Sequence, residues 1–288
     1  MFFIIDSGST KSDWVLIDKD HNQTFFSTMG YNPYFHTEDI IEESIRANSD
    51  IMKYAEKVDA VYFYGAGCSS SALNAVVEAA FHKVFPNAKI SVDHDLTACA
   101  FSTYQGKPSI SCIIGTGSNS CYFDGDKIYE EVPALGYILG DEGSGSYFGK
   151  QLLSNYLYKK LPAHIHKDFI DEYKLTKDII VDRVYMKPNA NVYLASLSKF
   201  ISKHAEEPFF KQMVYEGMKK FMEIHVCCYP NFKEVDTHFI GSISHVFKNE
   251  LMKAANELHV KVGQIIQKPI GGLVNYHLNH FFLVKNPN

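Results

Sequence analysis

The chain has 288 residues, 46% of them hydrophobic and 14% aromatic, and carries a formal net charge of −5. That length bounds the fold to one large domain or two ordinary ones and allows a substantial core. The acidic balance, with no lysine–arginine stripe, argues against a nucleic-acid surface, and no apolar run approaches the ~18 residues of a membrane span.

The first apolar run, Phe2–Ile5, meets Asp6 too early for a signal peptide. Six cysteines in a chain this long, without the spacing of a disulfide framework, suggest reduced thiols in a cytoplasm. Phe2–Ile5 and Trp14–Ile17 read as two strands around a tight glycine turn. That turn offers the backbone N–H groups left open by Gly8, the Ser7, Ser9 and Thr10 hydroxyls, Lys11 and Asp6. Such groups cradle a polyphosphate and hold its magnesium.

A third strand is expected over residues 24–29, running into Gly30-Tyr31-Asn32-Pro33, a proline turn. Residues 37–57 show helical spacing, with Thr37 at the cap and Glu38 and Asp39 in the first turn. Strand 58–64, helix 70–84 and strand 88–92 follow, an alternation that marks an α/β layer architecture. The last of these strands delivers Asp93-His94-Asp95 at its C-terminal end, where α/β folds place their chemistry. A helix over 96–104 comes next, which either aspartate could cap.

Lys107-Pro108 reads as a boundary. Beyond it the opening pattern repeats: strand 109–114, the turn Gly115-Thr116-Gly117-Ser118-Asn119-Ser120, then Cys121-Tyr122-Phe123. Two glycine-broken, hydroxyl-rich hairpins suggest two related lobes gripping one nucleotide's phosphates, each from its own side. Gly140-Asp141-Glu142-Gly143-Ser144-Gly145-Ser146 has too many glycines and carboxylates for a core segment and is expected to be a solvent-facing functional loop. A helix over 147–161 follows it. Residues 162–235 are expected to be mostly helical, with His164 and His166 a solvated pair and Cys227-Cys228 buried inside a helix over 212–229. Strand 237–240, helix 246–258, strand 260–266 and helix 271–280 close the chain.

The two hairpins resemble the phosphate loops of the actin, Hsp70 and sugar-kinase superfamily, closest to its N-acetylglucosamine kinase and BadF/BadG-type ATPase branch. Gly30-Tyr31-Asn32-Pro33, Asp95-Leu96-Thr97-Ala98, Gly140-Asp141-Glu142-Gly143-Ser144, Phe239-Ile240-Gly241-Ser242-Ile243 and Pro269-Ile270-Gly271-Gly272-Leu273 match in the family's order. The resemblance implies a two-lobed actin-like ATPase (ribonuclease H-like) fold, each lobe a mixed sheet flanked by helices. The lobes would be residues 1–107, with 271–288 packing back on them, and 108–270.

What the resemblance further implies is a kinase moving the γ-phosphoryl group of ATP to the 6-hydroxyl of N-acetylglucosamine or a near amino sugar. Asp95, immediately before the small-residue helix, would be the general base, with His94 standing where the family usually has asparagine. Asn32, Asn119 and Asp141 would hold the sugar. Gly8, Ser9, Thr10, Lys11, Thr116 and Gly117 would hold phosphates, and Asp6 would orient Mg²⁺ through water. Gly241 and Ser242 would contact the adenosine, although the family more often shows two glycines there. A homodimer is common among relatives. Two other readings stay open: a BadF-type ATPase that activates a reductase or dehydratase through a shared iron–sulfur cluster, and a nucleotide or sugar sensor without turnover.

Overall fold

The computed structural model describes residues 1–8 and 10–282. The chain divides into two compact units: Met1–Gln105 together with the chain from Pro269 onward, and Gly106–Lys268. Each is built on a five-stranded sheet.

In the first unit the strands are β1 (Phe2–Ser7), β2 (Lys11–Ile17), β3 (Gln23–Met29), β4 (Ala60–Gly65) and β5 (Lys89–His94), in the order β3-β2-β1-β4-β5. The β1–β2 and β2–β3 pairs are antiparallel, and β1–β4 and β4–β5 are parallel. Because β1 is central and covered on both faces, it reads as an unbroken apolar run. Phe3 and Ile5 join Trp14, Phe63 and Phe81 in one core, while Phe2 and Ile4 join Val15, Ile17 and Leu273 in another. Trp14 is fully buried and stacks on Phe81, centroids 5.6 Å apart.

The second unit repeats the plan with β6 (Ser109–Ile114), β7 (Ser118–Phe123), β8 (Ile128–Tyr129), β9 (Asp236–Ile240) and β10 (Val262–Ile266). Their order is β10-β9-β6-β7-β8, with β6–β7 and β7–β8 antiparallel and β6–β9 and β9–β10 parallel. The echo of one hairpin in the other is therefore an echo of whole sheets. The short β8 was not expected from the sequence.

Several expected elements differ. The helix over 37–57 breaks into Glu38–Arg46 and Ser49–Met52, because the Asn48 side chain accepts the Asp50 and Ile51 N–H groups and starts a new helix. Thr37 stands at the cap position, but its hydroxyl makes no cap bond. The helix over 147–161 is Gly145–Leu157, capped by Ser144. The region 162–235 is mostly helical, as expected, and its long helix runs Pro208–His225 with Pro208 in the first turn. Cys227 and Cys228 therefore follow that helix instead of lying in it, and are half-buried. Of the expected solvated pair, His164 is exposed, reaching Glu207 at 3.0 Å, while His166 is half-buried and packs on Tyr156. The helix over 246–258 divides into Ser242–Val246 and Lys248–Leu258. The closing helix is Ile270–His277, followed by a wider π turn. It packs so closely on the helix Asp95–Thr103 that a methyl group on Gly272 would lie 2.1 Å from the Ser102 carbonyl oxygen.

Candidate active site

The candidate side chains of the first unit lie at the C-terminal ends of β1 and β5 and in the loop after β3. The β1–β2 turn closes with the Gly8 N–H donating to the Lys11 carbonyl, 3.0 Å, leaving Gly8 and Thr10 exposed. Ser9, one of the expected phosphate contacts, lies outside the described residues. The Ser7 hydroxyl is turned into the fold instead of toward the turn's outer face. It accepts the Tyr31 N–H at 2.8 Å and bonds Ser12 at 2.7 Å, pinning the hairpin to the loop after β3.

Asp6 faces Asp13 directly across the antiparallel β1–β2 pair. Opposed residues of such a pair project from the same face, so two half-buried carboxylates stand side by side near the turn. Lys11 Nζ lies 2.6 Å from the Asp13 carboxylate with half its side chain in solvent. An exposed pair of this kind contributes little, so Lys11 remains free to turn toward a phosphate. Asp13 was missed in the sequence reading. Counting the register outward from Gly8 would have found it.

Asn32 is buried, its Oδ1 accepting the Tyr34 N–H at 3.0 Å. That bond fixes the amide with Nδ2 as the end available to a ligand oxygen. Gly67, at φ +84°, makes room for it: a Cβ there would lie 2.3 Å from Asn32 Oδ1.

At the end of β5 the two candidate aspartates separate. Asp93 is exposed and its carboxylate accepts the His94 N–H at 2.7 Å. Asp95 opens the helix Asp95–Thr103 with about a quarter of its side chain exposed. Burial holds its carboxyl above the usual range, opposed by the neighbouring His94 imidazole and by backbone N–H groups. The helix cap is neither aspartate but His94, whose Nδ1 accepts the Leu96 N–H at 3.4 Å and lies 3.2 Å from Asp95 Oδ1. One nitrogen cannot do both. A lone pair on Nδ1 caps the helix, whereas a proton there pairs with Asp95.

In the second unit the β6–β7 turn is closed by the Gly115 N–H donating to the Gly117 carbonyl, 2.9 Å. The carbonyls of Gly115 and Thr116 accept the Gly145 and Ser146 N–H groups at 2.8 and 3.0 Å. The helix Gly145–Leu157 is thus docked by its N-terminus onto the turn, and Thr116 and Gly117 are held half-exposed. The loop 140–146 is not solvent-facing: apart from the half-buried Asp141, every residue in it is buried. Its glycines serve close packing, since a Cβ on Gly143 would meet the Gly217 carbonyl oxygen at 3.0 Å and one on Gly145 would meet Ala195 at 3.1 Å.

Asp141, at φ +56°, accepts the Ser118 N–H at 3.1 Å and lies over Gly117, where a Cβ would sit 2.9 Å from both carboxylate oxygens. Burial raises its pKa, with the Ser118 N–H pulling the other way. Asn119 Oδ1 accepts the Ser120 N–H at 2.8 Å, and its Nδ2 reaches Glu130 at 3.4 Å. Gly241 follows β9 at φ +130°, where a Cβ would be 2.3 Å from the Ile114 carbonyl oxygen. Ser242 opens the next short helix and is exposed.

No helix among the described residues is long and apolar enough to cross a membrane. The solved structure of a protein from Porphyromonas gingivalis, provisionally named an N-acetylglucosamine kinase, is 35% identical to this chain. It superposes with a TM-score of 0.91 over 98% of this chain and 100% of its own. A protein from Chromobacterium violaceum with the same provisional name is 15% identical, TM-score 0.64, over 96% of this chain and 98% of its own. The ROK-family glucokinase of Streptomyces griseus, solved with glucose and AMPPNP, is 13% identical, TM-score 0.55, over 96% and 97%. The latter two share the fold, that of the actin-like ATPases. No curated protein matches the chain. Residues 5–206, well over half of the chain, match the BadF/BadG/BcrA/BcrD ATPase family, and this chain belongs to it.

Proposed function

We propose that the chain is an ATP-dependent kinase that phosphorylates the 6-hydroxyl of N-acetylglucosamine or a near amino sugar. The observation that carries this reading is Asp95: a partly buried carboxylate at the end of β5, with its pKa raised. Phosphoryl transfer to a hydroxyl needs such a base within hydrogen-bond reach of the attacking oxygen. The 35% identity to a protein provisionally named an N-acetylglucosamine kinase supports the substrate class.

In this reading Asp95 accepts the proton of the 6-hydroxyl as that oxygen attacks. Asn32 donates through Nδ2 to a sugar oxygen, and Asn119 and Asp141 add further sugar contacts. Gly8, Ser9, Thr10, Lys11, Thr116 and Gly117 hold phosphate oxygens, and Gly241 and Ser242 line the adenosine. The side-by-side carboxylates of Asp6 and Asp13 suit a hard, oxygen-loving ion, so they would hold Mg²⁺, which when bound offsets charge on the transferred phosphate.

The test is ADP release with magnesium-ATP and a panel of N-acetylglucosamine, glucosamine, N-acetylmuramic acid, N-acetylmannosamine and glucose. Turnover on one amino sugar supports the kinase. Sugar-independent hydrolysis alone would move the assignment to the activator ATPase, and silence throughout to a sensor.

A pH dependence follows. Asp95 works only when ionised, so kcat is lost as pH falls through its pKa. Burial raises that pKa, so the acid limb should lie above the ordinary aspartate value of about 3.9. A limb at or below that value in a kcat–pH profile would remove Asp95 as the group being titrated.

A further inference from the structure

Two adjacent carboxylates, Asp141 and Glu142, face different surroundings. Asp141 holds the Ser118 N–H beside the second phosphate turn. Glu142 is buried, and its Oε2 lies 3.7 Å from His225 Nε2 and its Oε1 3.9 Å from Lys220 Nζ. Its backbone carbonyl accepts the Ser118 hydroxyl at 2.7 Å. Ser118 is thus gripped twice, by the side chain of Asp141 and the backbone of Glu142. His225 is only 3% exposed, its ring stacks on Phe221 at 5.1 Å, and its Nδ1 has no partner among the described residues. Its carbonyl accepts the Ser120 hydroxyl at 2.5 Å, so the same helix end also holds β7. Gly143 lies against the Gly217 carbonyl of that helix.

From this geometry we infer that Glu142 is a positioning residue: its carboxylate, anchored on His225 and Lys220 of the helix Pro208–His225, holds Asp141 over Gly117 and Ser118. A buried carboxylate left in that loop would be costly without counter-groups, and His225 and Lys220 are where the fold supplies them. Asp141 has the positive φ that the loop imposes, a conformation that an aspartate adopts only where its surroundings over-determine it. Removing the anchor lets the loop relax, and the Ser118 N–H then loses its acceptor. The inference rests on the proposed function in one respect only, that Asp141 touches the sugar. Its structural part stands alone.

The experiment uses Glu142→Gln, Asp141→Asn and the double variant in the full chain, with Lys220→Met as a milder variant should Glu142→Gln fail to fold. Hydrogen exchange at Ser118 is expected to speed up about tenfold in Glu142→Gln, while exchange in β6 is unchanged. With an active sugar, Glu142→Gln should raise its KM about tenfold and leave the ATP KM within about twofold. Added to Asp141→Asn, it should change the sugar KM by less than about twofold, because the two act through one contact. Unchanged Ser118 exchange, or effects that add fully in the double variant, would overturn the inference. Wild-type protein inactive on every sugar would sink the proposed function while leaving the exchange comparison to decide this one.

Discussion

Asp95→Asn is expected to lower kcat about a thousandfold, within the ~10²–10⁴ that a positioned general base contributes. Asparagine keeps the size and shape of the side chain but cannot take a proton, so the sugar hydroxyl must attack without losing its hydrogen early. The substituted residue still opens the same helix, and His94 rather than residue 95 supplies the cap. Folding and the KM values for ATP and sugar should therefore change little. Coupled ADP release measures both parameters. A loss of less than about tenfold would mean that the proton goes elsewhere. The exposed Asp93 would then be the next residue to replace.

Gly241→Ala should be the most damaging small substitution in the second unit. The added methyl would lie 2.3 Å from the Ile114 carbonyl oxygen and 2.7 Å from its carbon, and both are backbone atoms that cannot rotate away. The residue also has φ +130°, which alanine adopts only under strain. Strain and overpacking together suggest a loss of about 3 kcal/mol, or a fall in Tm of about 6–12 °C for a unit of this size. Ile114 is the last residue of β6 and leads into the Gly115–Gly117 turn, so relief of the clash would displace that turn and weaken ADP binding as well. Gly271→Ala is the control, because its methyl meets nothing within 4 Å, and inside a helix alanine should leave Tm unchanged or slightly raised. Equal melting curves for the two variants would refute the steric account.

Much of the fold was legible because its cues are local. The runs at Phe2–Ile5 and Ser109–Ile114 with their glycine turns, and the alternation of strands and helices, rest on period and turn chemistry that a short window contains. The misreadings share a cause. Asn48 split a helix through a side-chain cap that helical periodicity does not register. The loop 140–146 looked solvated because glycines and carboxylates usually are, yet its glycines make room for Gly217 and Ala195, fifty or more residues away. The Ser7 hydroxyl, one of the turn's exposed-looking polar groups in the sequence, is bonded inside the fold to Tyr31 and Ser12.

By itself the sequence determined the inventory: two hairpins able to meet phosphates, a carboxylate at the end of β5, amides suited to a sugar, and the order in which they come. Tertiary structure alone decided the state of each group. It half-buried Asp95 while leaving Asp93 in water. Asp13 came to stand beside Asp6, and Glu142 was sent to His225 while its neighbour Asp141 went to Ser118. The reason is physical. Whether a charge is desolvated or answered by a counter-charge depends on residues brought close by the fold, such as Glu142 and Lys220, and their separation along the chain carries no trace of it.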